Sequence, residues 1–143
     1  DVGAGTGSVS VELALQGGAV WSVERDSAAC ALIRANRERF GAWKLRLVQG
    51  SAPAALDRLP APDAAFVGGS GGELPKILDA VRGANPKARV CVSAISLETL
   101  HAAMAELKTP EVTQISVSRS KPAGELHLLL AQNPVFLITG ALS

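Results

Sequence analysis

Asp1-Val2-Gly3-Ala4-Gly5-Thr6-Gly7 runs straight into Ser8-Val9-Ser10-Val11-Glu12-Leu13-Ala14-Leu15-Gln16, and the reading of this stretch decides the fold. Glycines at alternate positions lack the Cβ that would hold a backbone away from a ligand. The residues from Ser8 to Gln16 form a helical pattern. A turn of this kind opening a helix presents free N–H groups and partial positive charge to a carboxylate or phosphate. It is the turn that follows the first, central strand of a doubly wound sheet. Almost no strand precedes this turn, so the expectation is a natural protein that continues upstream, with the first strand largely before Asp1.

Outward from that turn, short apolar runs alternate with helical spacings. Strand candidates are Ala19 to Glu24, Leu45 to Gln49, Ala64 to Val67, Arg89 to Ala94, Val112 to Ser118 and Leu126 to Ala131. Between them, Leu74, Ile77, Leu78 and Val81 form one apolar stripe, and Leu97, Leu100, Met104 and Leu107 nearly repeat it. Asp26 and Ser96 are the expected caps of helices over Ser27 to Phe40 and Leu97 to Leu107. The last two strand candidates have a Pro- and Gly-containing turn and no helix between them, which predicts an antiparallel hairpin on an otherwise parallel sheet. The expectation is one α/β domain over residues 1–143.

Composition narrows the function. The 143 residues carry 14 basic and 13 acidic side chains, a formal net charge of +1, which gives no global attraction to nucleic acid or anionic lipid. Two Trp and three Phe are too few for a platform of stacked bases. No apolar run reaches the ~18 residues of a membrane span. Cys30 and Cys91 make neither a disulfide framework nor a four-ligand zinc site, and a reducing, cytoplasmic setting is expected. His101 reads as a surface residue and His127 as a partly buried strand residue. Neither has a second ligand at useful spacing, so no metal is expected.

The chemistry-bearing residues cluster at strand ends. A dinucleotide fingerprint, G-x-G-x-x-G, would need glycine at position 8, where Ser8 stands; D-x-G-x-G-x-G instead favours S-adenosylmethionine. Glu24 ends the next strand 17 residues after Gly7 and can accept hydrogen bonds from both ribose hydroxyls. Gly50-Ser51-Ala52, after the third strand of the predicted sheet, would lie beside the adenine. Gly68-Gly-Ser-Gly-Gly72, after the fourth, allows a second close backbone approach where donor and acceptor meet. The competing readings are a ligand-free tight turn, a solvated Glu24 and an ordinary flexible loop.

Asp1 to Glu12, Ile33-Arg-Ala-Asn36, Phe66-Val-Gly-Gly-Ser-Gly-Gly-Glu73, Ser96-Leu-Glu-Thr-Leu100, Val117-Ser-Arg-Ser-Lys-Pro122 and Ala131-Gln-Asn-Pro134 together resemble the decarboxylating precorrin-6Y C5,15-methyltransferases. The likeness spans nearly the whole chain and is to the part that methylates C15 and removes carbon dioxide from the C12 acetate. In that family this part is free-standing or the C-terminal half of a fusion. The resemblance implies a Rossmann-like class I methyltransferase fold with a mostly parallel, seven-stranded sheet. It also implies S-adenosylmethionine as donor, a precorrin substrate in cobalamin biosynthesis, and a homotetramer. Donor contacts are then expected from Asp1, Gly3, Gly5, Thr6, Gly7, Glu24, Arg25, Gly50, Ser51, Ala52, Gly68 and Gly69. Substrate contacts are expected from Ser70, Gly71, Arg119, Ser120 and Lys121, the basic pair meeting carboxylate arms. Relatives commonly have an acidic residue where this chain has Ser51, which removes a carboxylate contact to the adenine amino group.

Two other functions fit the same turn. One is a methyltransferase of this fold acting on RNA or another small molecule, and RNA would ask for a basic face. The other is a donor-binding scaffold subunit without catalysis. Asn133-Pro-Val-Phe136 is similar to the Asn-Pro-Pro-aromatic motif of amino-methylating enzymes, but it follows the wrong strand and carries no assignment.

Overall fold

A computed structural model describes all 143 residues, Asp1–Ser143. The chain runs α1 (Ser8–Leu15), β1 (Val20–Glu24), α2 (Ser27–Phe40), β2 (Leu45–Gln49), β3 (Ala64–Val67), α3 (Leu74–Ala84), β4 (Arg89–Ala94), α4 (Leu97–Glu106), β5 (Lys108–Ile115), β6 (Ser118–Ala123), β7 (Leu126–Ala131) and β8 (Val135–Ala141). A short 3-10 turn, Ala54–Leu56, follows β2.

Parallel pairing joins β1 to β2 and β3 to β4, while β8 runs antiparallel between β4 and β5. Val2 completes the sheet. It bridges in parallel to Val23 of β1 on one side and Val67 of β3 on the other. The sheet order is therefore β2, β1, Val2, β3, β4, β8, β5, and the seven expected positions are six strands and a one-residue bridge. Every parallel strand ends at the same edge, where Glu24, Gln49, Val67 and Ala94 stand.

Two apolar clusters pack the sheet, and Val2 belongs to the larger. The larger holds 15 buried residues, among them Val67, Val92 and Ile138 of the sheet and all four stripe residues of α3. The smaller holds six, from α1, α2, β1 and β2 with Ala42. Each fully buried Leu or Ile contributes about 1.5–3 kcal/mol relative to exposure, so the α3 stripe alone fixes that helix. Both expected caps form: the Asp26 side chain accepts from Ala29 N–H at 2.8 Å and Ser96 from Thr99 N–H at 3.2 Å.

The C-terminal third departs from the sequence reading. The hairpin is β6 with β7, pairing Ser118–Ala123 with Leu126–Ala131, rather than Val112 to Ser118 with the latter. It hydrogen-bonds to no other strand and stands apart as its own two-stranded ribbon. The segment expected to be its first strand is β5, an edge of the main sheet, whose partner β8 is not among the strand candidates. Asn133-Pro134 thus precedes a strand instead of following the last one. His127 is exposed on the ribbon, not partly buried, because nothing packs over either of its faces. The α4 stripe is only half a core stripe. Leu107 is buried, but Leu97 is 73% exposed and Met104 47%.

Candidate functional site

Backbone geometry pins the glycine turn across the sheet. Val2 N–H donates to Phe66 O at 2.8 Å and Gly68 N–H donates to Val2 O at 2.9 Å, while Gly3 N–H donates to Val23 O at 2.9 Å. The turn therefore meets the ends of β1 and β3 together. Gly3 has φ +68°, and a Cβ there would lie 2.3 Å from Gly69 O, so no other residue fits. Gly5, at φ +56°, differs: a Cβ would meet nothing within 4 Å, which leaves its surface open to a ligand.

Glu24 closes the turn from the other side. Its Oε2 accepts from Gly5 N–H and its Oε1 from Asp26 N–H, each at 2.9 Å. A carboxylate has about four acceptor positions, so both oxygens retain one for a ligand hydroxyl. Asp1 is anchored differently. Its Oδ2 accepts from Ser10 Oγ, which in turn accepts from Ser22 Oγ, and both serines are fully buried. Asn36 Nδ2 donates to Thr6 O at 2.9 Å and holds the turn to α2.

A cavity of about 230 Å3 opens among these groups, lined by Gly3, Glu24, Arg25, Gly50, Ser51, Ala52, Gly69, Ser70 and Gly71 with Val2, Val23 and Ile77. The structure thus brings nine of the sequence-predicted positions to one wall. Asp1, Gly5, Thr6, Gly7 and Gly68 do not line it. Gly7 packs against Ile33, where a Cβ would lie 2.9 Å from the side chain, and Thr6 is exposed. Arg119, Ser120 and Lys121 stand within strand β6 rather than at its turn, fully on the ribbon and away from the cavity wall. Ile77 and Asn36 are the residues sequence reasoning left out. Ile77 carries the signal of the α3 core stripe, and Asn36 has no chemistry-bearing spacing of its own.

A larger cavity, about 1490 Å3, runs between the edges of β1 and β3 beside Trp21, Val23, Ala64 and Phe66. Among the predicted positions it touches only Asp1, and it lies along the strands rather than at their ends. The smaller cavity has the polar equipment: acceptor positions on Glu24, the Ser51 hydroxyl, the exposed Arg25 guanidinium and glycine backbone. Such a set suits a ligand with a diol and a polar base edge. At about 230 Å3 it is smaller than the ~300–1,000 Å3 of a drug-sized site, so such a ligand extends over the mouth.

The profile of the precorrin methyltransferase domain family matches residues 1–140. A probable cobalt-precorrin-6B C15-methyltransferase (decarboxylating) of Pyrobaculum calidifontis is 44% identical over 147 residues, covering 97% of this chain and 75% of that protein. The crystal structure of precorrin-6Y C5,15-methyltransferase from Geobacter metallireducens superimposes with a TM-score of 0.87 at 35% identity, covering 97% of this chain and 76% of that one. The C-terminal domain of the Rhodobacter capsulatus precorrin-6Y C5,15-methyltransferase gives 0.87 at 32% identity, covering 99% and 78%. The architecture is the Rossmann-like one of S-adenosylmethionine-dependent methyltransferases. No helix is long and apolar enough to cross a membrane.

Proposed function

The chain belongs to the precorrin methyltransferase family, and from that premise we propose that it methylates C15 of a precorrin and removes carbon dioxide from the C12 acetate in cobalamin biosynthesis. The observation that carries the donor half of this reading is the Glu24 carboxylate, tied to Gly5 and still able to accept from a ribose diol. The acceptor half comes from the similarity to proteins bearing that activity.

S-adenosylmethionine, when bound, supplies an electrophilic methyl group. The residues of the chain bind and orient: Glu24 takes the ribose, Gly50, Ser51 and Ala52 border the adenine, and Gly3 and Gly69, packed against each other, form the backbone wall beside the methionine end. Holding two reactants in line at about 3 Å supplies much of such a rate enhancement, and few side chains need handle protons. Decarboxylation draws on the substrate's own conjugated ring as electron sink. Arg119, Ser120 and Lys121 meet carboxylate arms of the substrate from the ribbon. Incubation of the chain with S-adenosylmethionine and a precorrin, followed by mass spectrometry, tests the reading. A gained methyl with a lost carboxyl supports it; no methyl gain with RNA-directed methylation in its place overturns it.

The same reading makes the protein a cytoplasmic homotetramer. Both cysteines are free thiols. On the ribbon, Leu126, Leu128, Leu129 and Leu130 are 68%, 49%, 76% and 47% exposed. Such a strand, apolar on both faces, suits burial between copies, and an isolated two-stranded ribbon is marginal alone.

A further inference from the structure

Ile95 and Leu97 are 79% and 73% exposed, large apolar side chains one residue apart just past the end of β4. The residue before them, Ala94, is fully buried, so the change is abrupt. Helical spacing assigns Leu97 to the core stripe of α4, yet it points away from that core. The Ser96 cap, bonded to Thr99 N–H, fixes it as the first residue of α4 and so fixes its position at the strand end.

The sheet sets what lies on either side. In the β3–β4 pairing Val67, the last residue of β3, faces Val92, so β4 and Ile95 run on past the strand end from which Gly69, Ser70 and Gly71 reach the cavity wall. On the far side Ala94 faces Phe136 of β8, which faces Gln114 of β5. The ribbon that carries Arg119 and Lys121 therefore rises from the same edge, beyond Ile95 and Leu97. The donor's direction follows from the same order. With adenine at the end of β2 and ribose at the end of β1, the reactive end points toward β3 and, past it, β4.

We propose that Ile95 and Leu97 form the apolar shelf on which a flat face of the tetrapyrrole acceptor rests, between the donor cavity and the basic ribbon. The inference rests on the function proposed above. An oligopyrrole has apolar faces and carboxylates at its rim, and this edge of the sheet offers apolar side chains in the middle with cations to the side.

The test compares the unaltered protein with I95Q/L97Q and with the apolar variant I95V/L97M. The readouts are kcat and KM for a precorrin, S-adenosylmethionine affinity by calorimetry, and mass by light scattering. The expected result is a KM about tenfold or more higher in I95Q/L97Q, the loss when two covered apolar side chains become polar. Donor affinity and mass stay unchanged, and I95V/L97M, which keeps the shelf apolar, raises the KM far less than I95Q/L97Q. An unchanged KM in I95Q/L97Q overturns the shelf, as does a fall in mass, which would make the pair a contact between copies. Absence of turnover by the unaltered protein despite donor binding overturns the proposed reaction and the shelf with it, so the two failures are told apart by the unaltered protein alone.

Discussion

Glu24 Oε2 accepts the Gly5 amide at 2.9 Å, joining the end of β1 to a turn 19 residues earlier in the chain. One carboxylate thus shapes the glycine turn and faces the cavity that the turn borders.

Replacing it separates the two roles. Glu24→Ala should weaken S-adenosylmethionine binding by about ten- to a hundredfold, the loss of one or more charge-assisted hydrogen bonds. Glu24→Gln keeps an acceptor oxygen and should lose less. Calorimetric titration of both variants checks the order, and equal affinities for all three proteins would refute it.

Gly3 and Gly5 should respond differently to the same change. Gly3→Ala drives a methyl onto Gly69 O and leaves φ at +68°, and overpacking with left-handed strain should destabilise by about 2–4 kcal/mol. Gly5→Ala has open space, so only the strain of about 1–2 kcal/mol applies. Thermal unfolding should show the larger drop in Gly3→Ala, while donor affinity should fall in Gly5→Ala.

Arg119 and Lys121 lie on the ribbon, so exchanging both for Ala should raise the KM for the tetrapyrrole and leave donor affinity as it was. Steady-state kinetics with calorimetry decides, and the reverse pattern would remove them from the substrate site.

Leu129, 76% exposed, is the test of assembly. Leu129→Asp should lower the mass found by light scattering toward that of one chain, without lowering the melting temperature of the main sheet.

Burial pushes the Cys30 thiol above its ordinary 9.0, with Arg34 opposing and Glu24 and Asp26 adding to the rise. The unfolded chain therefore loses this proton first as pH climbs. Stability from the buried neutral thiol is complete below 9.0 and declines above it. The urea midpoint should fall as pH rises above about 9, and the fall should be shallower in Cys30→Ala.

Local signals made most of the scaffold legible. Asp26, Ser96 and the stripe from Leu74 to Val81 each act within a few residues, and the elements they predict form where expected. The strand Val135–Ala141 was not legible, although Val135-Phe-Leu-Ile138 is an apolar run, because its partners β4 and β5 are remote in sequence. Ser118–Ala123, with Pro122 and two cations, has little strand character of its own and is extended through its pairing with Leu126–Ala131. At the candidate site, the glycines and Glu24 could be read from spacing. The exposure of Leu97 could not, since a helical stripe says which side chains align and not which neighbour covers them.

Val2 bridges both β1 and β3, Gly3 N–H bonds to Val23 of β1, and Gly68 and Gly69 after β3 bond back to Val2 O. A nucleoside seated on the cavity wall would touch Glu24 from β1 and Gly69 from beyond β3 at once. Loading would then tie two strand ends that lie far apart in the sequence and raise the melting temperature in step with donor concentration.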